Sequence, residues 1–195
     1  MKRLTDILLS LVGLLILLPF FLVIAIVISI DSRGGVFFLQ TRVGKNNNDF
    51  KLFKFRTMRV DSESKGQLTI GGQDNRITKA GFFLRRYKLD ELPQLLNVLI
   101  GDMSLVGPRP EVRKYVDMYN AEQLQVLSVK PGITDYASIK YADESELLAK
   151  AENPEQFYIQ TVMPDKLAIN LEYIKNRSLG ADMGILFKTI GKILS

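Results

Sequence analysis

Asp90 and Glu91 are neighbouring carboxylates a few residues ahead of Pro93, in the segment LDELPQLLNVLIG. A proline is tolerated in the first turn of a helix, where its missing N–H would go unbonded anyway. The pair is therefore expected at a helix N-terminus, where free N–H groups and the positive dipole end favour anions. An acidic first turn is also ordinary capping, worth about 1 kcal/mol, and for the dyad alone that is the commoner case. Basic residues nearby shift the balance. Arg85 and Arg86 precede the pair, Arg109 stands between Pro108 and Pro110, and Lys54 and Arg56 alternate with Phe53 and Phe55, which puts both cations on one face of an expected strand. Each proline fixes its own φ and restricts the residue before it, so the Pro-Arg-Pro loop pre-orders a guanidinium that can grip phosphate through two parallel bonds. Carboxylates, arginines and a hard metal gathered around a phosphate make a site for phosphoryl chemistry.

Absent residue types narrow the chemistry further. The 195 residues include no Cys and no His, which excludes thiolate nucleophiles, Cys-ligated zinc, a Ser-His-Asp triad and an imidazole base. Covalent catalysis would have to use a carboxylate, hydroxyl or amine. A metal site would be oxygen-rich, favouring Mg2+, with Glu91 the best candidate ligand. Without a P-loop the chain is not a standard NTPase. The formal net charge of +5 suits an anionic membrane face, phosphorylated substrates or nucleic acid. No dense Lys/Arg run or nucleic-acid-binding signature occurs, so nucleic acid is not an expected partner.

The elements that would position these residues form an α+β, mainly helical chain in two parts, a membrane segment over 1–32 and a catalytic body over 33–195. The uncharged run Ile7 to Ile30 would measure roughly 36 Å as a straight helix, against a hydrocarbon core of about 30 Å. Pro19 lies in its middle and would break the backbone ladder. Lys2 and Arg3 precede the run and Arg33, Arg42 and Lys45 follow it, so the positive-inside rule draws both ends to the cytoplasm. A re-entrant helix broken at Pro19 satisfies both features, and a simple spanning anchor with a tolerated proline competes with it on equal terms. Val36 to Arg42 and Phe50 to Thr57 read as a hairpin around the turn-rich Gly44 to Asn48. Residues 61 to 76 read as a polar surface loop. Helices are expected over Ile77 to Tyr87, Leu89 to Ile100, Glu111 to Val129 and Leu167 to Lys175, with a turn at Pro131-Gly132 and an acidic loop over 143 to 165. Met183 to Leu194 is expected as an amphipathic helix, packed on the core or lying at the membrane interface.

With these motifs in place, the chain resembles the monotopic phosphoglycosyl transferases, bacterial sugar transferases that initiate surface-glycan assembly. The resemblance covers nearly the whole chain. Its strongest stretch is LDELPQLLNVLIGDMSLVGPRPE, Leu89 to Glu111, supported by Gln40 to Gly44, Lys54 to Met58 and Lys130 to Thr134. It implies that Asp90 attacks the β-phosphate of a UDP-sugar and releases UMP. The sugar phosphate then stays on Asp90 until undecaprenyl phosphate, a polyprenol phosphate, takes it. It also implies that Glu91 helps hold Mg2+, that Arg85 and Arg109 bind phosphate, and that Pro19 breaks a re-entrant helix. The implied setting is the bacterial inner membrane, with the catalytic body on the cytoplasmic face among membrane lipid, and a homodimer is compatible with it. Asp135-Tyr136 departs from the family, which often has Gly-Trp there and an Arg a few residues on; here Lys140 is the nearest basic residue. Two other readings compete: a non-catalytic, membrane-tethered module that binds anionic lipid or phosphate, and a glycosyltransferase that moves sugar without phosphate.

Overall fold

The computed structural model describes residues 2–60 and 74–194, so most of the polar loop expected over 61 to 76 lies outside the described residues. α1 (Lys2–Asp31) takes up the apolar segment as 30 residues of helix. Its helical hydrogen bonding is assigned without interruption through Pro19, so the sequence expectation of a break in the helix is not met as a gap in it. By length and composition this helix could cross a membrane. It does not stand clear of the rest of the protein. Asp6, Ser10 and Ile28 are buried and Gly13, Leu17, Phe21 and Ile24 are half-buried, which draws one stripe along the helix. Those positions recur at steps of three and four, the spacing of one face of a helix packed lengthwise on a partner. Leu8, Leu15, Ile16, Phe20, Val23 and Ile30 remain exposed on the other faces.

Both ends of α1 touch the same body. At the start, Arg3 donates to the carbonyls of Val98 and Leu99, Asp6 accepts from Ser104 Oγ at 2.9 Å and Leu105 N at 3.2 Å, and Lys2 pairs with Asp182. At the far end, Asp31 accepts from Ala80 N at 3.0 Å.

The hairpin forms as the alternation requires. β1 (Phe37–Val43) and β2 (Asp49–Phe55) pair antiparallel, with Phe37 opposite Phe55 and Val43 opposite Asp49. A single 3-10 turn, Lys45–Asn47, joins them. α2 (Lys79–Arg86) follows, capped by Thr78, whose hydroxyl accepts from Gly81 N at 3.0 Å. The helix expected from Leu89 is shorter than its apolar pattern suggests. Leu89–Glu91 is a 3-10 turn, Leu92 and Pro93 follow in a turn, and α3 (Gln94–Ile100) begins only then, ending at Gly101.

Further corrections come from tertiary pairing. β3 (Ser104–Val106) and β4 (Gly132–Thr134) form a short parallel pair, although Pro131-Gly132 reads as a turn. The long helix expected over Glu111 to Val129 is two short pieces, α4 (Arg113–Val116) and a 3-10 segment Gln123–Ser128. Asn120 separates them: its side chain accepts from Gln123 N while Gln123 Oε1 accepts from Asn120 N, a reciprocal cap that starts a new turn. α5 (Tyr136–Lys140) comes next. Residues 143 to 165 are largely helical, not a loop: α6 (Glu144–Ala149), α7 (Pro154–Phe157), a π-helical turn over Tyr158–Val162, and the start of α8 (Met163–Asn176). Leu148, Tyr158, Val162 and Met163 explain this, because they build a core with Val112, Tyr115, Val126 and Leu167. A second core joins Leu52, Val98, Met103, Leu105, Val106, Tyr173 and Ile185, and a third joins Ile28 to Phe55 and Leu84. α9 (Leu179–Leu194) buries Ile185 there and leaves Phe187 and Ile190 exposed.

Candidate active site

Lys88 brings the chain into the dyad in the left-handed region, at φ 55°, a conformation that costs an L-residue with a side chain about 1 kcal/mol or more. It reverses the direction between α2 and the 3-10 turn that carries Asp90 and Glu91. The N–H groups of Glu91 and Leu92 are used inside this turn, on the carbonyls of Lys88 and Leu89 at 3.3 Å each. The expected cradle of free N–H groups at the dyad is therefore replaced by cationic side chains.

The two carboxylates sit in opposite environments. Glu91 is held by Arg109, whose two terminal nitrogens bond its two oxygens, one at 3.0 Å, and by Lys54 at 3.4 Å. Burial pushes the Glu91 carboxyl up, but Arg109 and Lys54 outweigh it and hold the group well below the usual carboxylate range. The same pairing raises Arg109, so its charge is secure. Asp90 is 6% exposed and accepts no side-chain hydrogen bond among the described residues. Burial, then the charge of Glu91, pushes its carboxyl up, against the pull of Lys54, Arg85 and Lys88. Neighbouring carboxyls split in this way can take different roles, one a fixed anion and the other a more basic, reactive oxygen.

Lys54 reaches the site from the end of β2, and its position is set from α3. Asn97, 0% exposed, donates from Nδ2 to Lys51 O at 2.7 Å and accepts from Phe53 N at 2.9 Å, filling the open edge of β2. In the sequence Asn97 lies opposite the apolar face of Leu89, Leu92, Leu96 and Leu99, where a helical pattern leaves a residue to solvent. Gln94 is likewise buried, with no hydrogen-bond partner for its Nε2 among the described residues. Arg85 arrives from α2, donating from Nε to Thr57 Oγ1 at 2.8 Å. α2 can approach because Gly81 has no side chain: a Cβ there would lie 2.1 Å from Thr57 O. Burial lowers Arg85, with Asp90 the largest opposing charge.

Arg109 is fixed by its loop. Gly107 N donates to Thr134 O at 3.1 Å, Gly132 N to Pro108 O at 3.0 Å and Arg109 N to Asp135 Oδ2 at 2.8 Å. Behind the loop, Glu111 takes Arg42 at 3.0 Å and the Tyr158 hydroxyl. The structure thus brings together Asp90, Glu91, Lys54, Arg85 and Arg109. It does not bring Arg56 with them. Arg56 is buried beyond the end of β2 and donates to Ser32 Oγ at 2.6 Å, Ser32 O at 2.8 Å and the carbonyl of Gly35. It holds the turn that follows α1. Lys88, Asn97 and Asp135 were not legible as site residues: the first looks like a linker cation, the second like a surface amide, and the third appears only as a family departure.

The site gathers two carboxylates, two arginines and a lysine in a chain that also carries a helix of membrane length. Known sequences place it further: the family model described as bacterial sugar transferase matches residues 1–195, and the chain belongs to that family. It is 40% identical over 200 residues to a UDP-N-acetylgalactosamine-undecaprenyl-phosphate N-acetylgalactosaminephosphotransferase of Aeromonas hydrophila, a match covering 100% of this chain and 44% of that protein. It is 38% identical over 196 residues to the UDP-glucose:undecaprenyl-phosphate glucose-1-phosphate transferase of Escherichia coli K12, covering 98% and 40%. An exopolysaccharide production protein of Rhizobium leguminosarum is similar in length, 40% identical over 198 residues with 97% and 93% covered. The chain therefore spans less than half of the first two relatives.

Proposed function

We propose that the protein is a phosphoglycosyl transferase that moves a sugar 1-phosphate from a UDP-sugar to undecaprenyl phosphate. The observation that carries this reading is the split dyad: an Asp90 that is buried, with its carboxyl pushed up, beside a Glu91 clamped by Arg109 and Lys54. An Asp90 carboxylate oxygen attacks the β-phosphorus of the UDP-sugar. The bond from that phosphorus to the bridging oxygen breaks, and UMP leaves with the electron pair. The acyl phosphate on Asp90 is then attacked at phosphorus by an oxygen of undecaprenyl phosphate, which frees the carboxylate and forms the diphosphate-linked sugar. Splitting the transfer lets one site serve two acceptors in turn. Lys54, Arg85 and Arg109 offset the repulsion between anionic reactants as charge develops. The relatives' names support the substrate classes, and they divide between glucose and N-acetylgalactosamine donors.

Mg2+ usually binds through one or two carboxylates, with the remaining positions filled by water and substrate phosphate. Asp90 and Glu91 are the carboxylates on hand, and Glu91 would have to share its oxygens with Arg109. When bound, the ion would neutralise diphosphate charge.

For topology, the reading is re-entrant, with α1 entering and leaving by the cytoplasmic face of the bacterial inner membrane. The contacts of Lys2, Arg3 and Asp6 at one end and Asp31 at the other with a single body support it.

The test of the chemistry is a half-reaction. Purified protein given UDP-glucose or UDP-N-acetylgalactosamine without lipid should release UMP and gain a phosphosugar on Asp90, seen by intact mass and peptide mapping. The adduct should disappear when undecaprenyl phosphate is added. UDP as the released nucleotide, or an adduct on another residue, would overturn the reading. Absence of any turnover would favour a non-catalytic phosphate-binding module.

A further inference from the structure

We propose that Asp135 is a positioning residue, whose buried carboxylate holds the Pro-Arg-Pro loop at the height where the Arg109 guanidinium meets the dyad. The proposal rests on the reading of Arg109 as a phosphate-gripping group. Across Pro108, Arg109 and Pro110 there is a single backbone donor, because proline has no N–H. That donor, Arg109 N, goes to Asp135 Oδ2 at 2.8 Å, 26 residues away in sequence. The other oxygen, Oδ1, accepts from Ser138 N and caps α5. Asp135 is 0% exposed, so no solvent competes for either bond. One carboxylate thus fastens the loop at its centre to the start of a helix.

The two other loop bonds, Gly107 N to Thr134 O and Gly132 N to Pro108 O, lie on its N-terminal side and hold the chain only up to Pro108. Past that point Asp135 holds Arg109 at its own N–H, and the next bonds come one and two residues on, from Arg42 to Pro110 O at 3.1 Å and from Val43 N to Glu111 O at 2.9 Å. The guanidinium is at the end of a long side chain and bonds Glu91 in a two-pronged geometry. Such geometry tolerates little displacement, and a small misplacement of a positioning group can cost a large factor in rate. The negative charge of Asp135 also reaches Arg109 and reinforces its cationic form.

Asp135→Ser separates the two duties. Serine caps a helix about as well as aspartate, but one hydroxyl on a shorter stem does not serve Arg109 N as well. Hydrogen exchange on the full-length protein in detergent reads the tether directly, since the adjoining prolines leave the Arg109 amide nearly alone in its peptide. The Arg109 amide should exchange at least about ten times faster in Asp135→Ser, with α5 amides changed less than about twofold. UMP release, measured with UDP-glucose and UDP-N-acetylgalactosamine together, should fall about tenfold in kcat. In an Arg109→Ala background the same substitution should change kcat little, because the group it positions is gone.

Unchanged exchange at Arg109 would overturn the proposal. So would faster exchange with unchanged kcat, or losses that multiply independently in the double variant, which would mark a general structural role. If Arg109→Ala alone leaves UMP release intact, the role given to Arg109 falls, and the positioning role with it. If the unaltered protein releases no UMP, the proposed function fails, and the exchange result alone decides whether the tether exists.

Discussion

A Cβ added to Gly132 would stand 2.1 Å from the backbone nitrogen of Gly107, and one added to Gly107 would stand 2.6 Å from Lys130 O. The two strands that carry the Pro-Arg-Pro loop are thus clamped backbone to backbone. Gly132→Ala is expected to lower the melting temperature by several degrees, since overpacking of this kind costs about 1–3 kcal/mol or more. Transfer should fall beyond the loss of folded protein, because the loop holding Arg109 must shift. Gly184→Ala is the control, with nothing within 4 Å of the added carbon; there helix propensity should make the change neutral or stabilising by up to about 1 kcal/mol. Equal melting temperatures for the two variants would contradict the clamp.

Substitutions in the dyad should move stability in opposite directions. Asp90 is raised by burial and by Glu91, so its protonated form favours the fold. That favour is complete below the ordinary value of 3.8 and is lost as pH rises through the raised folded value. Asp90→Asn should therefore abolish transfer, by several orders of magnitude, yet melt higher than the parent at neutral pH, with the advantage vanishing in acid. Glu91 is lowered, chiefly because Arg109 and Lys54 outweigh its burial; its contribution is present above the ordinary value and lost as pH falls. Glu91→Gln strands both cations and should melt lower at neutral pH. Thermal melts across pH 3 to 8 would decide, and a lower-melting Asp90→Asn would refute the assignment.

The proposed need for a divalent ion is open to chelation. EDTA should stop UMP release and Mg2+ should restore it, while the melting temperature without substrate should change little, because the Glu91–Arg109 pair already satisfies the carboxylate. Full release after exhaustive chelation would exclude a metal requirement.

Arg85 and Arg56 should separate by phenotype although Arg85 donates to Thr57, the residue next to Arg56. Arg85→Ala should raise KM for the UDP-sugar with a modest change in melting. Arg56→Ala removes several bonds to the turn that follows α1, each worth about 1.5–3 kcal/mol for a charged donor. It should unfold or loosen the anchor, while any folded fraction keeps its KM. A selective rise in KM for Arg56→Ala would return this residue to the substrate site.

The topology is open to chemical cross-linking, helped by the absence of native cysteine. Lys2→Cys with Asp182→Cys replaces a charge pair. In whole membranes a short thiol-to-thiol reagent should join the two positions within one chain. Labelling of position 2 only from outside the membrane would rule out the re-entrant path.

Local pattern carried the hairpin and α2 well, since alternation and capping act over a few positions, and it named Lys54, Arg85 and Arg109, which the fold gathers around the dyad. The acidic 143–165 stretch was misread because its charges lie outside while Leu148, Tyr158 and Val162 meet partners far away in sequence. β3 and β4 were invisible for a related reason: three-residue strands leave no periodicity, and their pairing is set by two glycines 25 positions apart, Gly107 and Gly132. Arg56 was placed on the substrate by its resemblance to Lys54, two residues before it. β2 ends at Phe55, and the following residue turns toward α1.

The bond between Lys2 and Asp182 joins positions 180 residues apart. At about 5–20 residues per second, roughly 10 to 35 s of translation separate the two. During that interval Lys2, Arg3 and Asp6 have been made but the strand, helix end and tyrosine-bonded aspartate that receive them have not all followed. On the proposed topology α1 would meet lipid with its polar head still wet. Final seating of that head must wait for Asp182, so it comes late in folding.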